Sequence, residues 1–374
     1  MTSPHSSFDA VIVGAGMAGA SLGAQLASHM SVLIVEMEDL PGYHATGRSV
    51  AFWTESYGGP DVRPLTTASR AFLKAPDTEF SEHGFLRSRG AVHIGRQVDE
   101  AARDHLMQAF ADDALFTSLT ASDLQDRIPG LHPDWVLGLE ESSTCDIDVA
   151  ALHGAYLRSF TRHGGEVATG QHFIAAERVG NGWHVRLSGR DVGAGMIINA
   201  AGAWADHVAQ ASGAAPLGIQ PLLRTVVQLR VSPAVPDDMP LVLDLSERFY
   251  FKPAGGGRIW LTPHDETPGA AGDVAPSEMD VAIAIERLQQ VVDWHVEAVE
   301  RKWAGLRSFA PDRLPVYGFD PALPDFFWFA GQGGFGIQTA PAAAMLGAGL
   351  ILGATGNPVL AEVDPAKYAP ARFR

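Results

Sequence analysis

The sequence holds one cysteine, Cys145, so no internal disulfide can form, which fits a reducing cytoplasm and gives no support to secretion. No Cys/His set has metal-ligand spacing, so no structural metal is expected. Basic residues are few: 27 Lys and Arg stand against 43 Asp and Glu, for a formal net charge of −16. Such a surface repels phosphate backbones and anionic lipid, so neither nucleic acid nor peripheral membrane binding is expected. Long apolar runs are missing too. The most apolar late stretch, 340–354, is rich in Ala and Gly, is interrupted by Pro341 and is too short to span a bilayer. Residues 1–7 are short and polar and lack the apolar core of a signal peptide. No internal repeat or low-complexity segment is present. What remains is an ordinary globular composition, 46% hydrophobic and 19% charged. A chain of 374 residues is long for one hydrophobic core, so two lobes are expected.

The stretch 8–36, FDAVIVGAGMAGASLGAQLASHMSVLIVE, organises the rest. A short apolar run at 10–13 reads as a buried parallel strand. The cluster Gly14-Ala15-Gly16-Met17-Ala18-Gly19 follows, then helical periodicity through Leu22 and Leu26, then a second buried strand at 31–35 ending in Glu36. That is a complete βαβ unit with a GxGxxG turn. Gly14 permits the tight turn, Gly16 lets backbone approach a pyrophosphate, and Gly19 lets the helix pack on the strand. The helix N-terminus offers N–H groups and partial positive charge to phosphates. Glu36 lies 20 residues past Gly16, where a ribose hydroxyl needs an acceptor.

Further along, residues 41–51, PGYHATGRSVA, form a small, polar, turn-prone loop at the carboxyl edge of the expected sheet. Periodicity predicts helices over 62–73, 99–114, 118–128 and 149–162, the last capped by Asp148. Alternation predicts a strand over 85–94 and strands within 165–187, with Asn181-Gly182 as a hairpin turn. Residues 196–202, MIINAAG, read as another buried strand, followed by a helix over 203–211. From 217 to 263 the pattern is β-rich and reads as an antiparallel sheet, the second lobe. A long amphipathic helix is expected over 279–299. The last strand, FFWFA at 326–330, runs into a glycine loop and an Ala-rich helix, which aims a third set of N–H groups at a ligand.

GAGMAG with Glu36, the TGRS loop, MIINAAGAW, WAGLRSF and GQGGFGIQ occur in this order. In that combination the chain resembles the FAD-dependent D-amino-acid oxidase/dehydrogenase superfamily, which includes glycine and sarcosine oxidases, and most of all its bacterial D-arginine-type dehydrogenases. The resemblance covers nearly the whole chain. It implies an α/β, two-lobed fold: a Rossmann-like FAD-binding domain over 1–80, 145–215 and 310–374, and a substrate-binding domain over 81–144 and 216–309, built on an antiparallel sheet. It also implies the site. Gly14, Gly16, Ala18, Gly19, Glu36 and Met37 match positions around ADP. His44, Ala45, Thr46, Gly47, Arg48 and Ser49 belong to the loop that wraps pyrophosphate and flavin. Phe173 falls where main chain meets adenine, and Gly202 closes the second strand-and-helix unit. Gly333, Gly334, Phe335, Gly336, Ile337 and Gln338 match the loop beside the flavin pyrimidine edge. Cys145 lies outside any covalent-attachment motif, so the FAD is expected to be non-covalent.

The implied reaction oxidises the CH–NH2 bond of an amino acid by hydride transfer to flavin N5, releasing an imino acid that hydrolyses to a 2-oxo acid. The flavin is then reoxidised by dioxygen or a quinone. A carboxylate grip is needed, and a guanidinium fork supplies one. Arg307 and Arg224 match such arginines, and Tyr250 and Tyr57 match pocket tyrosines. The side-chain pocket departs from the D-arginine pattern. Phe52 and Ala91 stand where cationic-substrate enzymes carry a histidine and a glutamate. With Trp53 and Phe335 nearby, an apolar or aromatic D-amino acid is expected, and Glu247 is the one candidate polar contact. The same motifs also suit a secondary-amine oxidase, an L-amino-acid enzyme or a 2-hydroxy-acid dehydrogenase. A flavin-binding subunit without turnover fits less well, because the arginines and tyrosines are retained.

Overall fold

In the computed structural model, which describes residues 7–111, 114–354 and 356–374, five parallel strands bring their carboxyl ends to one edge. These are Glu166–Ala168, Val32–Val35, Ser7–Val13, Asp191–Asn199 and Phe326–Ala330, paired in that order. Their residues are almost continuously apolar because both faces are covered. Ala10, Val11 and Ile12 are fully buried. On one face the helices Met17–Leu26 and Ala340–Leu352 pack through Leu22, Leu26, Ala343 and Leu346. On the other, Ala205 and Val208 of the helix Ala205–Ala211 pack against Val11, Leu33 and Ile197. Three antiparallel strands, Phe173–Val179, Gly182–Leu187 and Val316–Phe319, complete this eight-stranded sheet.

A second eight-stranded sheet runs in the order His295–Phe309, Gln220–Ser232, Arg258–Thr262, Tyr250–Gly255, Leu241–Asp244, Ala91–Arg96, Trp135–Glu141 and Thr117–Leu119. Its far face is covered by the helix Glu278–Gln289, whose Val281, Ala284 and Leu288 meet Val227, Leu229 and Phe251. A small third sheet, Phe52–Trp53, Cys145–Ile147 and Leu86–Ser88, lies beside both. The mixed α/β class matches the expectation.

Several expected elements differ. The long helix over 279–299 ends at Gln289, and His295–Phe309 is a 15-residue strand. Its pairing with Gln220–Ser232, from Phe309 opposite Gln220 to His295 opposite Ser232, satisfies its backbone, and its side chains alternate between faces. Valines 291, 292, 296 and 299 imitate a helical stripe without forming one. The strand over 85–94 is cut at Gly90, which has φ of +73°, and its halves join different sheets. The expected helix over 118–128 starts only at Ala121, because Thr120 and Asp123 cap it reciprocally. The helix over 99–114 is shorter, Glu100–Ala109, and residues 112–113 lie outside the described residues, as do 1–6. The second sheet is antiparallel except where Leu241–Asp244 runs parallel to Ala91–Arg96. The helix Val149–Arg162 forms as expected, with Asp148 Oδ1 accepting from the Ala151 N–H at 2.9 Å. Among the described residues, no helix is long and apolar enough to cross a membrane.

Candidate active site

The parallel edge opens into a cavity of about 530 Å³ whose other wall is the second sheet. Gly14 turns the chain at φ of +104°, and a Cβ there would lie 2.6 Å from the Ala200 carbonyl oxygen. A Cβ on Gly19 would lie 1.9 Å from the Gly14 carbonyl oxygen, so the helix can approach the strand only without it. Gly14, Gly16 and Ala18 line the cavity, and the Met17 N–H donates to Thr46 Oγ1 at 2.9 Å. The backbone cradle a dinucleotide phosphate needs is therefore present. Glu36 is buried and lines the same wall. Its Oε2 accepts from the Ala15 N–H at 2.8 Å and its Oε1 from the Glu38 N–H at 3.0 Å. Met37 and Phe173 line the cavity beside it, and Gly202 lines the opposite strand end.

His44, Ala45, Thr46, Arg48 and Ser49 line the cavity, whereas Gly47 is turned away, its N–H donating to the Gly42 carbonyl at 2.8 Å. The Arg48 guanidinium is spent on Asp273 and on the Val274 and Ala304 carbonyls, which ties the loop to the second sheet. His44 holds Glu38 at 2.8 Å and lies against Trp204. Sequence reasoning missed His153, whose Nε2 donates to the Ala15 carbonyl at 2.9 Å. Burial pushes its pKa down, so this donor is a neutral imidazole. Its spacing to Tyr156 and Phe160 on one helix face was the signal for it.

The second sheet supplies the charge. Leu222 sits opposite Arg307 and Arg224 opposite Gly305, so the arginines are diagonal neighbours on one face. Arg307 Nη1 donates to Tyr57 Oη at 2.5 Å and Nη2 to Tyr250 Oη at 3.0 Å. No carboxylate among the described residues pairs with it. Burial opposes its charge, but Tyr57 and Tyr250 outweigh that and hold its pKa above the ordinary arginine value. Arg224 is 3% exposed. Its Nε donates to the Asp265 carbonyl at 2.9 Å and its Nη2 to Glu266 at 3.3 Å, while Nη1 is buried without a partner. Burial, then the like charge of Arg307, pulls its pKa down. Burial pushes the Asp265 carboxyl up, and Glu266 is shared with Arg313 at 2.8 Å. His264, also missed, holds φ of +56° and packs on Tyr250. Burial and the nearby Arg224 and Arg307 push its pKa down to about 2, so it is neutral.

The expected side-chain pocket is not assembled as the cavity wall. Phe52 braces the two tyrosines edge-on, 5.2 Å from Tyr57 and 5.5 Å from Tyr250 by ring centroid. Ala91 is fully buried behind it with Leu241 and Leu243. Trp53 faces away and donates to the Thr66 carbonyl at 3.0 Å. Glu247 is exposed in the turn before Tyr250, at φ of +57°. Phe335 packs on Val62, Leu222 and Phe309, although Gly333, Gly334, Gly336 and Ile337 beside it do line the cavity. Gln338 is turned into the protein toward Thr54, Tyr57 and Thr66. Apolar wall near the arginines comes instead from Val50 and Val226. Cys145 is buried, donates to the Ser143 carbonyl and does not line the cavity. The described residues contain no metal-ligand cluster.

The chain is 24% identical to monomeric sarcosine oxidase of Streptomyces avermitilis, over 97% of this chain and 98% of that protein. It is 23% identical to FAD-dependent oxidoreductase domain-containing protein 1 of Xenopus laevis, over 93% and 80% respectively. Its fold matches that of glycine oxidase from Geobacillus kaustophilus, with a TM-score of 0.85, 21% identity and 99% of both chains covered. Residues 9–350 match the DAO family, described as FAD dependent oxidoreductase, so the chain whose strand edge forms this cradle belongs to the FAD-dependent oxidoreductases.

Proposed function

We propose that this FAD-dependent enzyme is a D-amino-acid dehydrogenase or oxidase acting on a monocarboxylate with an apolar or aromatic side chain. The observation that carries the reading is Arg307: a guanidinium facing the cavity, steadied by two tyrosine hydroxyls and without an acid partner. Buried charge without a partner is costly, so the site is built to receive an anion. Among the described residues Arg224 and Arg313 pair with Asp265 and Glu266 while Arg307 pairs with no acid, which leaves one positive charge on the three arginines when both acids are ionised. That matches one carboxylate. Arg307, the buried Nη1 of Arg224 and the hydroxyl of Tyr250 grip it, Tyr57 steadies Arg307, and Val50 and Val226 shape the space beside it.

FAD, when bound, supplies the two-electron acceptor. Gly14, Gly16, Ala18 and Thr46 would cradle its diphosphate, Glu36 and Met37 would meet the adenosine, and Gly333, Gly334, Gly336 and Ile337 would flank the flavin end. The buried Cys145 thiol lies off the cavity, which supports a non-covalent cofactor. The FAD lobe comprises 1–80, 145–215 and 310–374, and the substrate lobe 81–144 and 216–309. The D configuration rests on the motif resemblance. A second reading, oxidation of glycine or a secondary amine, is favoured by the likeness to sarcosine and glycine oxidases. An anaerobic screen of D- and L-amino acids, glycine, sarcosine and 2-hydroxy acids, following loss of oxidised-flavin absorbance, decides between them. Fastest bleaching by sarcosine or glycine sinks the first reading.

A further inference from the structure

Residues 54–57 carry Tyr57 to Arg307 without forming helix or strand, so their backbone groups need other partners. Two buried side chains supply them from opposite sides. Glu141, at the end of the strand Trp135–Glu141, is fully buried. Its Oε1 accepts from the Glu55 N–H at 2.7 Å and the Ser56 N–H at 3.4 Å, and its Oε2 accepts from the Ser56 hydroxyl at 2.6 Å. Gln338 is 2% exposed. Its Oε1 accepts from the Thr54 N–H at 3.2 Å, and its Nε2 donates to the Tyr57 carbonyl at 3.1 Å and to Thr66 Oγ1 at 2.9 Å. Neither side chain lines the cavity.

A buried carboxylate is a poor way to gain stability alone, since an apolar residue of similar size often does as well. Glu141 is nonetheless ionised: burial opposes the charge, but His93, the Ser56 hydroxyl and the Glu55 N–H outweigh it and hold its pKa below the usual range. His93 Nε2 stands 3.6 Å from Glu141 Oε2. The charge is used directionally, on the residues that lead into Tyr57. The far end of Tyr57 has little slack. A Cβ on Gly334 would lie 2.6 Å from Tyr57 Oη and 2.9 Å from Arg307 Nη1. A small tilt of the 54–57 backbone, magnified along the ring, breaks that contact.

We propose that Glu141 and Gln338 are positioning residues, a clamp from two elements that holds the Tyr57 hydroxyl on Arg307 and so sets affinity for the substrate carboxylate. The proposal rests on the carboxylate-binding reading of Arg307. The test is a cycle of FAD-loaded Glu141→Gln, Tyr57→Phe and the double variant. The probe is benzoate, a monocarboxylate with no amine to oxidise, titrated by calorimetry. Glu141→Gln should weaken benzoate at least about fivefold in the parent. In the Tyr57→Phe background it should weaken it less than about twofold, with FAD stoichiometry unchanged throughout. Equal weakening in both backgrounds, or none in the parent, overturns the proposal. If Glu141→Gln does not fold, Ser56→Ala, which removes only the hydroxyl bond to Glu141, runs the same cycle with the same criteria. If benzoate fails to bind the parent, the carboxylate reading falls, and a crystal structure of whichever variant folds decides the clamp. A Tyr57–Arg307 contact opened beyond hydrogen-bond distance supports it, and an unchanged contact overturns it.

Discussion

Tyr57 Oη lies 2.5 Å from Arg307 Nη1, although 250 positions separate the two residues in the chain. The contact joins the turn after the strand Phe52–Trp53 to the strand His295–Phe309, on which Arg307 lines the cavity. Arg307→Met should therefore cripple flavin reduction by substrate while FAD stays bound. A charge-assisted hydrogen bond is worth about 1.5–3 kcal/mol, so catalytic efficiency should fall roughly 10- to 150-fold before any misorientation of Cα is counted. Stopped-flow reduction under anaerobic conditions measures it. Normal efficiency in the variant removes Arg307 from the carboxylate grip.

The purified protein should be yellow, and acid should release its FAD into the supernatant. The Gly14–Gly19 cradle binds without a covalent link, and the one thiol, Cys145, is buried away from the cavity. Flavin that stays with the precipitate after denaturation contradicts this.

The cofactor cradle was legible because its requirements are local. A glycine turn, two apolar strands, a helix and Glu36 lie within one βαβ unit, and the structure puts Gly14, Gly16 and Glu36 on one cavity wall. The substrate end was legible only as residue types. Arg224 and Arg307 become neighbours through the pairing of Gln220–Ser232 with His295–Phe309, and the second strand was hidden behind valines that imitate a helical stripe. Phe52 and Ala91 were read as pocket wall, yet side-chain direction places them behind the tyrosines. Nothing local marks Glu141 or His264, because their partners lie in other elements.

His264 gives a pH dependence whose sign follows from its burial. Its folded pKa is about 2 against an ordinary value of 6.5, so below about pH 6.5 the unfolded chain binds a proton that the folded chain does not. Stability from this group is fully present above pH 6.5 and is lost as pH falls from 6.5 toward 2. At pH 5 the loss is on the order of 1–2 kcal/mol. His264→Asn keeps a residue that tolerates positive φ and removes the titration. Urea unfolding of both proteins at pH 7.5 and 5.0 should show the parent losing more stability than the variant. Equal losses mean that the imidazole is not held neutral.

Substrate choice follows from the acids available at the cavity. Among the described residues that line it, Glu36 is the one carboxylate, and it already accepts from the Ala15 and Glu38 amides. Asp265 and Glu266 are engaged by Thr225, Arg224 and Arg313, and Glu247 is exposed in a turn away from the cavity. A substrate guanidinium would thus lose water, gain no free anion and meet the like charges of Arg224 and Arg307, at a cost of several kcal/mol. An isobutyl or benzyl group beside Val50 and Val226 instead gains roughly 25 cal/mol for each Å² of apolar surface buried. D-leucine, D-methionine and D-phenylalanine should therefore surpass D-arginine and D-lysine by a wide margin in catalytic efficiency under one set of conditions. D-arginine equal to or better than D-leucine and D-phenylalanine would sink the apolar reading, and Glu247→Gln would then show whether that exposed acid folds inward to meet the cation.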